Sequence, residues 1–183
     1  RVTFDKYGNC NGCQYIKKKK NFRNLQKQLN EVCNKYRSND GSYDCIVPWS
    51  GGKDSSYVAY KLKYEYKMNP LLVTYAPLMP TKVGEKNINA FLNLGFDNEY
   101  FRVNQKVSKS LTERFFLERG DPKVHWNAGI HSIPLKVSIF RKIPLIFYAE
   151  HGESLYGGSV LKKDSDKIKD LDEIYENNVG DDP

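Results

Sequence analysis

Between Asn21 and Tyr36 the apolar residues Phe22, Leu25, Leu29, Val32, Cys33 and Tyr36 recur at steps of three and four. That is the period at which one face of an α-helix is buried, so the spacing predicts an amphipathic helix with Cys33 on its inner stripe. A polar, Gly-containing loop over 38–42 follows, and then the apolar run Cys45-Ile46-Val47-Pro48-Trp49. Its length and continuity predict a strand buried on both faces, with Pro48 at the exit. Three further strands are expected at Leu71–Tyr75, Tyr100–Val103 and Leu145–Tyr148. Helical patterns separate them: Ser55–Tyr66, Glu85–Leu94, Val107–Glu118 and roughly Ile130–Lys142. Strands alternating with helices predict an α/β fold, a parallel sheet wound with helices on both faces. No internal repeat is present.

The ends of the chain differ from this middle. Residues 1–15 have little periodicity but contain Gly8, Gly12 and the pair Cys10 and Cys13, which suggests a tight turn presenting two thiols to one point. From Lys162 to Pro183 the chain is dense in both signs of charge and poor in apolar residues, and reads as a solvated tail or as a stretch whose packing partners lie elsewhere. The expected organisation is a knuckle over 1–20, an α/β domain over 21–161 and a charged tail over 162–183 leading to a further C-terminal part. Arg1 is not an initiator methionine, so the chain reads as a portion of a longer product.

With 183 residues, 39% of them hydrophobic, one full core is the expectation. No run of eighteen apolar residues offers a membrane span and no signal peptide is legible, which points to the cytoplasm. The 29 Lys and Arg against 22 Asp and Glu leave a net charge of +7. That balance suits an anionic ligand such as a nucleotide, sugar phosphate or RNA, although the run Lys17–Lys20 equally describes a solvated helix face.

Chemistry enters at Ser50-Gly51-Gly52-Lys53-Asp54-Ser55-Ser56, placed between the first sheet strand and a helix. Open parallel sheets bind ligands at the carboxyl ends of their strands, where this string falls. Two glycines let the backbone approach an anion, and the helix start adds unpaired amides and a positive dipole end. The hydroxyls of Ser50, Ser55 and Ser56 add donors. A plain Gly-rich turn with Ser and Asp at a helix start is the bland alternative. The spacing is neither GxxxxGK[ST] nor GxGxxG.

The string resembles the PP-loop, SGGxDS, of the ATP-pyrophosphatases, which cleave ATP between its α and β phosphates. The resemblance implies an adenine-nucleotide α-hydrolase-like, doubly wound fold. It also implies that Ser50, Gly51, Gly52, Asp54, Ser55 and Ser56 bind ATP, that Lys53, Asp54 and Ser55 act in catalysis, and that Mg2+ accompanies the phosphates. The segment Phe4 to Cys13, Gly120-Asp121-Pro122, Trp126, Gly129-Ile130, Ile143 to Ile146 and Glu153 to Gly158 extend it. Together these are similar to the bacterial N-acetyl sugar amidotransferases of O-antigen, pseudaminic and legionaminic acid synthesis, over most of Arg1 to Gly158.

That similarity implies conversion of an acetamido group into an acetamidino group, on a nucleotide- or lipid-linked N-acetyl sugar. Ammonia would come from a separate glutaminase with a channel subunit. The family pattern also carries a second CxxC pair upstream, so Cys10 and Cys13 would be half of a zinc site, two thiolates being half of a tetrahedral shell. Cys33 and Cys45, in a helix core and a strand, are disfavoured as the rest.

His125, His131 and His151 match no metal triad. His151 follows the fourth strand beside Glu150 and Glu153, and with Tyr156, Gly157 and Gly158 is a candidate for substrate contact. Trp126 is a candidate for stacking on a sugar or base, or for packing. The rival function is a PP-loop tRNA thiolase, which the charge would suit. Such enzymes carry downstream cysteines, and none follows Cys45. Nucleic acid is therefore the less favoured partner. Another PP-loop synthetase and a nucleotide-binding module without catalysis are further alternatives.

Overall fold

The computed structural model describes residues 4–10, 12–14 and 22–149, with Phe22 and Arg23 in backbone only. The chain divides into two compact units, Arg1–Leu29 with Glu150–Pro183, and Asn30–Ala149. In the first, Phe4 pairs with Cys10 as an antiparallel bridge around a turn at Gly8, whose φ is +79°. The Asp5 carboxylate closes that turn by accepting the backbone N–H groups of Tyr7 and Asn9, both at 2.9 Å. Residues 12–14 are helical.

Helix α1, Phe22–Tyr36, leads into the second unit. Cys33 is buried, as its place on the stripe predicts, but Leu25 is exposed: the apolar stripe is covered only toward its C-terminal end. Strands β1 (Cys45–Pro48), β2 (Pro70–Tyr75) and β3 (Asp97–Phe101) form a parallel sheet in that order. Helices α2 (Lys53–Tyr60), α3 (Lys82–Leu92), α4 (Gln105–Arg119) and α5 (Val124–Arg141) occupy the connections. A π-helical stretch, Lys61–Glu65, extends α2. The molecule is therefore α/β with a parallel sheet.

Register places Ile46 beside Leu71 and Leu71 beside Asp97. On the other side of β1, Ile46 pairs in parallel with Ile146 through Ile46 N–H to the Leu145 carbonyl and Phe147 N–H to the Ile46 carbonyl, each 2.8 Å. The expected fourth strand is thus a single bridge, and β1 is an inner strand. The third strand lies at 97–101 instead of 100–103. Its residues are mostly half-exposed edge positions, so the apolar run that marks a buried strand was missing there.

Successive strand residues point to opposite faces. On one face Ile46, Leu71 and Val73 meet Val137 of α5 and Ile143, with Phe101, Ile133 and Ile146 around them. Val47 and Leu72, at the alternate strand positions, are fully buried, and Ala59, Leu62 and Phe96 are buried as well. Full burial of a large aliphatic side chain such as Ile46, Leu71 or Leu72 contributes roughly 1.5–3 kcal/mol. A polar brace holds the amino ends of the strands: buried Asp44 accepts the N–H groups of Ser38 at 2.5 Å and Asn69 at 2.6 Å. Among the described residues, no helix is long and apolar enough to cross a membrane.

Candidate phosphate-binding site

Strand order reverses at β1: the chain proceeds from β1 through β2 to β3, then returns by α4 and α5 to pair at Ile146 on the opposite side. The carboxyl end of such a switch point is where open α/β sheets leave a crevice for ligands. Residues 49–52 leave β1 at this place and α2 begins at Lys53.

The loop's shape depends on its glycines. Gly51 has φ +80°, and a Cβ there would fall 2.7 Å from Cγ1 of Ile88. Only glycine meets both conditions without strain, since other residues rarely adopt this φ. Gly52 is the extended N-cap of α2, at φ −76° and ψ 163°, and no side chain caps the helix. Helix α5 also starts without a side-chain cap, whereas α3 and α4 are capped. Thr81 Oγ1 accepts the Gly84 N–H at the head of α3, and Asn104 Oδ1 accepts those of Lys106 and Val107 at the head of α4. The first amides of α2 therefore face the carboxyl edge without a side-chain acceptor, beside a positive dipole end suited to an anion.

Around these amides, Ser50, Lys53 and Asp54 are exposed, Lys53 and Asp54 in the first turn of α2. Ser55 is buried, its hydroxyl donating to the Gly52 carbonyl at 3.4 Å. Ser56 accepts the Trp49 indole N–H at 2.8 Å. Sequence reasoning placed Trp49 in the strand and gave it no part in the loop. The signal for that part was its position immediately before the glycines; its partner, on the first turn of the helix, was not legible.

Ile88 was likewise unforeseen. It backs the loop from α3 at Gly51, and Phe91, three residues further along that helix, meets Trp49 with ring centroids 5.3 Å apart. The Trp126 indole N–H donates to the Ala76 carbonyl at 2.9 Å, just beyond β2. Trp126 is half-buried there, with its ring nitrogen engaged by the backbone. Of the three histidines, His125 meets Ser108 Oγ through Nε2 at 3.2 Å, and burial lowers its pKa.

In the other unit, Cys13 N–H points to Cys10 Sγ at 3.4 Å. That bond, followed by one from the Cys13 side chain, lowers the Cys10 pKa. Both are reduced thiols, as are buried Cys33 and Cys45. Amide-to-sulfur bonding suits a thiolate, and the pair fits half of a zinc shell. Among the described residues, no group of three or more His, Cys, Asp or Glu gathers as for a metal ion. Asp54, exposed at the head of α2, fits as the carboxylate that a phosphate-bound Mg2+ would use. Glu150, His151, Glu153, Tyr156, Gly157 and Gly158 lie outside the described residues, as does Lys17–Lys20.

No known protein-family profile matches the chain. A stretch of 53 residues is 40% identical to an uncharacterized protein of Methanocaldococcus jannaschii, covering 29% of this chain and 19% of that protein. The chain thus matches about a fifth of that relative's length.

Proposed function

We propose that this chain is part of a PP-loop ATP-pyrophosphatase that amidates N-acetyl sugars. The observation that carries the reading is the uncapped head of α2 behind the glycine turn, at the carboxyl end of an inner parallel strand where strand order reverses. Open amides at a helix start are met by water or by an anion, and the positive dipole end with Lys53 beside it favours the anion.

In the proposed reaction the acetamido oxygen attacks the α phosphorus of ATP, forming an O–P bond while the bond from that phosphorus to the bridging oxygen breaks and pyrophosphate leaves. The amide nitrogen gives up its proton to solvent. Ammonia then adds to the activated carbon, the C–O bond to AMP breaks, and the acetamidino group remains. An amide carbon is a poor electrophile, and adenylation makes its oxygen a leaving group, so the protein's task is mainly positioning and charge stabilisation. The amides of residues 51–55 and the Ser50 and Ser56 hydroxyls would hold the departing pyrophosphate, with Lys53 offsetting its charge. Mg2+ held by Asp54 would supply further neutralisation of the phosphate oxygens. Glu150, His151, Glu153, Tyr156, Gly157 and Gly158 are the proposed sugar-side residues.

Protein given ATP, Mg2+, ammonia and a UDP-linked or lipid-linked N-acetyl sugar is expected to release AMP and pyrophosphate. Asp54→Ala, which removes the carboxylate for Mg2+, and Ser55→Ala, which removes the hydroxyl that donates to the Gly52 carbonyl within the turn, are each expected to lower kcat/KM more than about tenfold, or ~1.4 kcal/mol, with circular dichroism unchanged. Release of ADP and phosphate, full activity of Asp54→Ala, or stimulation of AMP release by tRNA in place of sugar would each reject the assignment.

A further inference from the structure

A serine hydroxyl has one proton to donate and two lone pairs to accept with, whereas an indole N–H can only donate. The 2.8 Å bond between Trp49 Nε1 and Ser56 Oγ is therefore of one polarity: the serine oxygen accepts, and its proton is left for another partner. This bond joins the strand exit to the first turn of α2, spanning the Ser50-Gly51-Gly52 turn from behind.

Trp49 has little freedom of its own. It is buried at 3% exposure, its backbone N–H is bound to the Val73 carbonyl at 2.8 Å, and its ring rests against Phe91, which stacks on Phe96 with centroids 4.6 Å apart. Ile88, on the same face of α3 as Phe91, abuts the place where a Gly51 side chain would project. One helix face thus backs both the turn and the ring that ties its ends.

We propose that Trp49 is a positioning residue of the phosphate loop, whose indole N–H, held in place by α3, fixes the Ser56 hydroxyl as an acceptor and reserves its proton for a phosphate oxygen. This rests on the reading that the loop binds ATP. A fixed hydroxyl needs no reorganisation when the anion arrives, which is the benefit a rotating one lacks.

Calorimetric titration with MgATP and with Mg-pyrophosphate tests it, using the full chain, Trp49→Phe, Ser56→Ala, Ser56→Thr and the Trp49→Phe/Ser56→Ala double variant. Trp49→Phe keeps the ring and removes the N–H, and is expected to weaken both ligands about five- to tenfold, the scale of one hydrogen bond. Ser56→Ala is expected to do the same, Ser56→Thr to recover most of the affinity, and the double variant to lose little more than either single change. Urea midpoints separate this from plain destabilisation, which would not restore binding in Ser56→Thr alone. Wild-type affinity in Trp49→Phe, or independent, additive losses in the double variant, would overturn the role of Trp49 while leaving the phosphate reading intact. Should Trp49→Phe fail to fold, unchanged affinity in Ser56→Ala overturns it equally. Wild-type protein that binds neither ligand removes the phosphate reading and the inference together.

Discussion

Single residues set the terms at the loop. Gly51→Ala introduces a side chain where φ is +80° and where Ile88 Cγ1 would lie 2.7 Å away. The backbone conformation alone costs roughly 1–2 kcal/mol, and Ile88 is a branched side chain packed on a helix, so it yields only with further loss. A lowered urea midpoint is expected, with part of the loss recovered by Ile88→Ala in the same chain; unchanged stability would contradict the backbone geometry. Cys45 behaves differently, through its proton. Burial, aided by the neighbouring Asp44 charge, pushes its pKa from the ordinary 9.0 up to about 12. The folded protein therefore holds that proton more tightly than the unfolded chain does. The stabilisation is complete below pH 9 and is lost as pH rises toward 12. Urea midpoints measured between pH 8 and 11 should fall with increasing pH, and Cys45→Val should flatten that slope. The Ser50–Ser56 string was legible in the chain because the loop that it forms between β1 and α2 is contiguous. Trp49 and Ile88 were not assigned to it, since their contacts depend on packing across the fold.

At the level of elements, β2 and α5 meet closely at Gly129. A Cβ on Gly129 would come within 2.2 Å of Tyr75 Cε1, so the helix backbone lies directly on the tyrosine ring. Alanine favours helices over glycine by up to about 1 kcal/mol, yet inserting a methyl into a closed contact costs about 1–3 kcal/mol. The second effect wins where the obstruction is an aromatic ring, and Gly129→Ala is expected to destabilise, with Tyr75→Leu in the same chain relieving much of the loss. A stabilised Gly129→Ala variant would show that the ring can move aside. Helix α5 also contains buried Pro134, which removes one backbone hydrogen bond inside the helix. Periodicity nevertheless marked this helix, because its apolar positions outnumber that interruption; its start at Val124 was missed by several residues. The fourth strand was marked at 145–148 by its apolar run, but a run of side chains does not specify how many ladder bonds form.

For the whole molecule, the four cysteines divide into two pairs of opposite accessibility. Cys33 and Cys45 are fully enclosed and their pKa values are raised, chiefly by desolvation, whereas Cys13 is exposed and Cys10 is half-buried with a lowered pKa. Alkylation of native protein at neutral pH, read by mass spectrometry, is expected to add two groups, at Cys10 and Cys13, and all four only in denaturant. Native labelling of Cys45 would mean the sheet opens on the labelling timescale. The sequence by itself determined the α/β alternation, the buried character of β1 and β2 and the composition of the loop, because each follows from spacing along a single stretch of chain. Only tertiary structure decided that β1 is flanked on both sides, that α2 is left uncapped at the switch point, and that α3 backs the loop through Ile88, Phe91 and Trp49. The physical reason is that hydrophobic period and glycine content are local, whereas strand neighbours, ring contacts and the fate of a helix's first amides depend on residues distant in sequence.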